Sequence, residues 1–406
     1  MQLAPHETTG CPIVFPAERD SPFSPPSAYR DGQPDGKPQR VTLAYGGEAW
    51  LVTRYQDIKA LLSDDALLSA DGTREGFPAV PLSYRDPRPG VFVNMDAPQH
   101  TRLRRFLARE FSAPAVEARR PIVHEQVDRL LGAFMAGGPG GDLVEGFADV
   151  LPRHVSANLF GVRGDDTSFV EQCSRARATH DGSAARRHAS GQKMRRVLGD
   201  LVASKIDEPT DDLLGRLISG AIRSGDLEVE ELVGMATLLL AASLEATSCL
   251  ISLTTFALLR DPGQGALVRS DPARWIRPAV DETLRYWTII QHGPIRAAKV
   301  DITVDGAQIR AGDSVILHLH SGNWDSTVFP SPEIFDIQRV AAPHLSFGHG
   351  VHRCLGAGLG QLEAQTAVEA IFTRMPNLRL SVPVEEITFR ETQDLLYGLR
   401  SLPVIW

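Results

Sequence analysis

The stretch HLSFGHGVHRCLGAG, residues His344 to Gly358, places one cysteine, Cys354, in a run crowded with glycine, histidine and one arginine. Its spacing runs from Phe347, next to Gly348, to Gly350, then to Cys354 and Gly356, the pattern F-x-x-G-x-x-x-C-x-G. Downstream, LGAGLGQLEAQTAVEAIFTRM has helical spacing, so Cys354 falls at or just before a helix N-terminus. Free backbone N–H groups and the helix dipole favour an anionic sulfur there, and a thiolate is expected. Gly350 permits a tight turn, and Gly356, lacking a side chain, permits a flat bulky ligand to approach the backbone. A structural cysteine buried beside a glycine-rich turn is the alternative reading of the same residues.

Outward from this loop, composition sets limits. The 406 residues are long enough for two domains, and 43% hydrophobic with 23% charged residues is ordinary for a soluble globular chain. Four scattered cysteines, Cys11, Cys173, Cys249 and Cys354, make no disulfide framework and no C-x-x-C pair, which points to a reducing, cytoplasmic setting. Residues 1–38 are a proline-rich segment whose prolines and charges do not read as a signal peptide or a membrane anchor. A formal net charge of -8 argues against nucleic acid as a bulk partner, so any basic docking patch has to be local.

Helix outweighs strand along the chain. VTLAYGGEAWLVTRYQDIKALLSD reads as a hairpin about Gly46 and Gly47 followed by a helix, and Asp64 to Pro98 reads as a long aperiodic segment. HTRLRRFLAREFS and most of Pro121 to Arg285 have helical spacing, broken near Gly137 to Gly141 and Asp207 to Asp212, while DITVDGAQI and SVILHLH are β-rich. Small sheets at both ends of the sequence are expected. The longest helical signal, EELVGMATLLLAASLEATSCLISLTTFALLRDP, would span roughly 45 Å at about 1.5 Å per residue. It is apolar on nearly every face, yet Glu245 in its middle disfavours a membrane span and favours a buried strut beside a polar site.

The cysteine spacing resembles the haem-binding loop of the cytochrome P-450 family, and further parts follow in order. DETLRYW carries Glu282 and Arg285 as the family's E-x-x-R pair, and NWDSTVFPSPEIFDIQR resembles its meander, with Arg339 completing a Glu-Arg-Arg cluster. His100 and Arg104 in HTRLR, with Arg296 and His352, match the positions that hold the haem propionates. The resemblance covers nearly the whole chain and is to soluble bacterial, actinobacterial enzymes of secondary metabolism. It implies a single domain over residues 1–406, mostly α with small β-sheets, in the triangular P-450 fold with a long central helix over the haem. It also implies haem b with Cys354 as axial thiolate to the iron, and Phe347, Gly348 and Gly356 as cofactor-contacting residues of the loop. Gly360 and Gln361 depart from the Ala-Arg common after that loop.

The implied activity is a monooxygenase that hydroxylates or epoxidises a small organic substrate, such as a macrolide, terpenoid or polyketide. Electrons would come from a ferredoxin and its reductase, docking near Arg102, Arg105 and Arg353, with the enzyme a monomer. An atypical oxidation (coupling, rearrangement or peroxide-driven) and a non-catalytic haem sensor are the alternatives. The distal motif supports the first of these, because Ala242, Ser243, Leu244, Glu245, Ala246 and Thr247 keep the family's acid but put alanine where its first threonine assists proton delivery. Glu245, Ser243, Ala246 and Thr247 are therefore the catalytic positions to inspect, with Thr247 expected to turn away from the iron and a substrate hydroxyl as a further proton carrier. By position alone, Leu244, Phe92, Val93, Ile289, Ile290 and Leu395 are expected to line the substrate pocket, and Asp165 to Asp200 to form part of a lid.

Overall fold

The computed structural model describes residues 13–31, 36–44, 46–74, 77, 88–162, 184–340 and 343–406. Cys11, Cys173 and the first part of the lid segment, residues 165–183, lie outside the described residues.

The apolar run around Glu245 forms one helix, Val229–Arg260, here called the central helix. It starts in a capping box: Glu228 and Glu231 each accept the other's backbone N–H, which satisfies two of the donors a helix leaves open at its start. It stops at Asp261, whose carboxylate instead caps the next helix through the Gly263 and Gln264 amides at 3.0 and 3.1 Å. By length and composition this helix could cross a membrane. It is instead the strut of the core, with Leu240, Leu244, Ile251, Leu253, Phe256 and Leu258 fully buried. Around it pack Leu151–Leu159, Ala184–Ile206, the E-x-x-R helix Pro272–Trp287 and the helix after the cysteine, Ala357–Arg374. The fold class is mostly α with small sheets, as read from the sequence.

The strands are placed differently from the expectation of separate sheets at the two ends. Early and late strands merge into one six-stranded sheet: β1 (Val14–Phe15), β2 (Gln39–Leu43), β3 (Glu48–Val52), β4 (Leu68–Ser69), β6 (Ile295–Ala298) and β9 (Ser314–Leu317), ordered β1-β2-β3-β9-β6-β4. The β2–β3 hairpin turns through Gly46 and Gly47, both at positive φ (97° and 88°), which a glycine adopts without strain. β3 then runs parallel to β9, so the closing pairing is non-local and invisible to local pattern. Within β6, half-buried Arg296 alternates with buried Ile295 and Ala297, which turns its side chain to the other face of the sheet. β5 (Gly140–Asp142), β10 (Arg379–Leu380) and β11 (Pro403–Ile405) form a three-stranded sheet, and β7 (Ile302–Val304) and β8 (Ala307–Ile309) a hairpin.

Two local readings change. The segment from Asp64 to Pro98 holds regular structure where it is described: β4 pairs with β6, and Phe92–Asn94 is a 3-10 turn. SVILHLH leaves the sheet after Leu317, because the His318 imidazole accepts the Ser321 amide at 3.2 Å and starts the short helix Leu319–Asn323. Of the lid segment, residues from Ala184 onward belong to the helix Ala184–Ile206, in line with the helical spacing read over Pro121 to Arg285.

Candidate active site

The cysteine loop is held by its own backbone. The Cys354 amide donates to the Phe347 carbonyl at 2.8 Å, and Gly348 and Gly350 sit at φ 70° and 69°. Gly350 also packs on the end of the helix Tyr55–Ser63, where an added Cβ would lie 1.8 Å from the Leu62 carbonyl oxygen, so neither conformation nor space admits a side chain. Cβ atoms at Gly348 and Gly356 would by contrast meet no protein atom within 4 Å. Cys354 keeps open surface yet is surrounded by protein mass, as a residue lining an internal recess is. Burial pushes the Cys354 thiol up, and this outweighs the opposing pull of the Gly356 amide, Arg104, Arg353 and the Ala357 amide. At the free sulfur, burial thus works against the helix N-terminus.

Three elements bring four basic groups together beside this loop. His100 and Arg104 come from the helix Gln99–Ala108, Arg296 from β6 and His352 from the loop itself. The rings of His100 and His352 lie 4.0 Å apart, and Arg104 donates to the Arg353 carbonyl. Burial and then Arg104 push His100 down to about 4, with Arg296 adding to this. Burial, Arg296, His100 and Arg104 push His352 down to about 2. His100 is 2% exposed, and its Nε2 has no hydrogen-bond partner among the described residues. A buried nitrogen left open among mutually repelling basic groups fits an anionic ligand. With the side-chain-free surface at Gly348 and Gly356 and the recessed Cys354, these residues fit haem b. Phe347 is half-buried, with the His344 ring 5.6 Å from its own.

Behind the loop, Glu282 and Arg285 form a buried bidentate pair at 2.7 and 2.8 Å, and Arg339 reaches the same carboxylate at 3.3 Å. All three expected members of the cluster thus meet.

The distal motif is arranged differently from its expected reading. Leu244 is fully buried in the main core, and it is Ala241 and Ala242 that are exposed in mid-helix. At about 100° per residue, Leu244 stands some 200° round the helix from Ala242, on the core side. Ser243 is turned toward the helix Leu151–Leu159: its hydroxyl contacts the Ser156 hydroxyl at 3.1 Å and donates to the Leu240 carbonyl at 3.1 Å. Thr247 is buried, its hydroxyl oxygen 3.6 Å from where a Cβ on Gly360 would stand, and so faces the helix Ala357–Arg374. Ala246 is partly buried, and Glu245 pairs with Arg390 at 3.3 Å. Sequence reasoning missed Arg390. It also missed Glu363, a 3% exposed acid that burial pushes up to about 8, with an Oε2 that has no partner among the described residues.

Of the pocket candidates, Ile289, Ile290 and Leu395 are brought together. The Gln291 amide donates to the Leu395 carbonyl at 3.1 Å and the Tyr397 amide to Ile289 at 2.7 Å, while Ile290 bridges to Leu396. Ile289 and Phe92 are buried, Ile290 is half-buried, and Val93 and Leu395 are exposed. The Phe92 ring lies 6.1 Å from His100. In the expected docking patch, Arg105 and Arg353 are exposed, but Arg102 is spent on Glu231 and, at 2.8 Å, on the Asp226 carbonyl.

A family model described as Cytochrome P450 matches residues 275–395, which hold the Glu-Arg-Arg cluster, Arg296, the cysteine loop and Arg390. Cytochrome P450-SU2 of Streptomyces griseolus is 38% identical over 399 residues, 97% of each chain. Pentalenic acid synthase of Streptomyces avermitilis is 39% identical over 405 residues, 99% of each chain. The crystal structure of CYP105P1 in complex with filipin I, 36% identical, superposes with a TM-score of 0.89 over 98% of this chain and 99% of that one. Likeness of this extent in sequence and in structure places the chain in one family: it belongs to the cytochrome P450 proteins, haem-thiolate monooxygenases that take electrons from redox partners and act on small organic molecules.

Proposed function

We propose that this chain is a cytoplasmic, monomeric, single-domain monooxygenase that hydroxylates or epoxidises a hydroxyl-bearing secondary metabolite, with electrons from a ferredoxin and its reductase. In this reading Cys354 is the axial ligand, His100, Arg104, Arg296 and His352 hold the two propionates, and the surface at Phe347, Gly348 and Gly356 lies against the ring. The observation that carries it is the open, buried His100 Nε2 among basic groups beside a recessed cysteine. The haem supplies the oxygen-activating chemistry when bound. A relative named for pentalenic acid and a neighbour complexed with filipin I support a substrate of the secondary-metabolite class.

The distal side chains support a substrate-assisted route for protons. Ser243 is engaged with Ser156 and Leu240, Thr247 faces away, and Ala246 has no polar group. Glu245 is then the polar side chain of the motif left to steady a water or a substrate hydroxyl. A spin-state titration with macrolides, terpenoids and aromatic polyketides selects a substrate. With it, Ala246→Thr should not raise coupling, and an analogue lacking the hydroxyl should divert reducing equivalents from product to peroxide. Equal coupling with the deoxy analogue would reject this route.

For the electron donor, exposed Arg105 and Arg353 are the remaining basic groups of the patch on a molecule of net charge -8. First-electron transfer from an acidic ferredoxin should therefore slow as salt rises, and Arg353→Glu should flatten that dependence. Rates indifferent to ionic strength would remove the docking site from this face.

A further inference from the structure

Glu245 lies in the middle of the central helix, its side chain 32% exposed, against an Arg390 side chain that is 12% exposed. Arg390 comes from the closing hairpin rather than from a neighbouring helix. Its amide donates to the Gly398 carbonyl at 2.9 Å, Phe389 bridges to Leu399, and the Phe389 ring stacks on Tyr397 with centroids 5.6 Å apart. The arm that reaches Glu245 therefore starts from a braced backbone. The other acids of the region leave Glu245 as the direct partner: Asp149 accepts from Ser248 and lies 3.7 Å from Arg153, and Asp394 accepts the Glu391 amide at 3.1 Å. Burial works against the Arg390 charge, but Cys249, Glu245, Asp149 and Asp394 together outweigh it and hold its pKa up, so the guanidinium stays charged beside the Glu245 carboxylate at 3.3 Å. The same hairpin carries Leu395, whose carbonyl is bonded to the Gln291 amide at 3.1 Å, so one piece of backbone holds both the acid's partner and a candidate pocket wall.

We propose that Arg390 is a positioning residue for the distal pocket: it fixes the Glu245 carboxylate on one flank of the central helix and so decides where that acid can hold a water or a substrate hydroxyl. The inference rests on the distal reading above, and its test needs no substrate. The probe is carbon monoxide on the reduced, haem-loaded protein, whose C–O stretching frequency responds to charge placed near it. Arg390→Leu should move that band and Arg390→Lys should leave it at the wild-type position. Glu245→Gln should also move it, and Arg390→Leu added to Glu245→Gln should change nothing further. Arg390→Gln serves in place of the leucine variant if that one loads no haem. An unmoved band in the Arg390 variant, or a shift that persists in full in the Glu245→Gln background, would overturn the proposal. Either result leaves the deoxy-analogue experiment to stand or fall by itself.

Discussion

Cys354→His is expected to abolish the strongly red-shifted absorption of the reduced, carbon-monoxide-bound protein, the signature of a thiolate on haem iron. Burial holds the free Cys354 thiol up, while the Gly356 and Ala357 amides and Arg104 would steady the charge of a sulfur bound to iron. Imidazole can ligate iron but brings no anionic sulfur, so the variant can keep haem while losing the band. Cys249 cannot substitute. It lies 1% exposed on the central helix, so tightly packed that a Cβ on Gly398 would stand 2.4 Å from its sulfur. The band should survive Cys249→Ala unchanged. Its survival in Cys354→His, or its loss in Cys249→Ala, contradicts the assignment of the ligand.

Glu282→Ala should yield little soluble, haem-loaded protein. The carboxylate accepts from Arg285 at 2.7 and 2.8 Å, from Arg339 at 3.3 Å and from the Asp336 amide at 3.0 Å. Its removal leaves Arg285, 2% exposed, with the Asn323 and Ile334 carbonyls and the faces of the Tyr286 and Phe329 rings in place of a carboxylate. Orphaning one partner of such a buried pair costs about 3–5 kcal/mol, a large part of the roughly 5–15 kcal/mol that holds a typical domain folded. The damage would also travel. Asn323, whose carbonyl Arg285 holds, accepts the Leu345 amide at 2.7 Å and donates to the Ser346 hydroxyl at 2.9 Å, at the entry to the cysteine loop. Thermal unfolding and haem content measure both effects. A variant that folds and loads haem normally but turns over slowly would contradict a structural role.

The parts legible in the sequence were those set by short-range rules. The glycines around Cys354 announce a turn because positive φ excludes other residues, and the structure gives Gly348 and Gly350 that φ. Glu282 and Arg285 meet because three residues on a helix return to one face, and the central helix shows itself by length and apolar content. What failed were statements about direction. A helix apolar on all sides carries no sign of which face meets the pocket, so Leu244 was expected where Ala241 and Ala242 are exposed. Arg102, one cation in a run of arginines, gave no hint that Glu231 would claim it.

By itself the sequence determined the helix-rich class, the cysteine loop, the Glu282–Arg285 pair on one helix face and the alanine at position 246, since each depends on residue type and spacing over a few positions. Only the tertiary structure decided that β3 pairs with β9 to close one sheet, and that burial outweighs the helix N-terminus at Cys354. It alone decided that Arg390, 145 residues from Glu245, is the arm on the distal acid. These depend on which surfaces are desolvated against each other. Desolvation is a property of the packed chain, and no local window of sequence contains it.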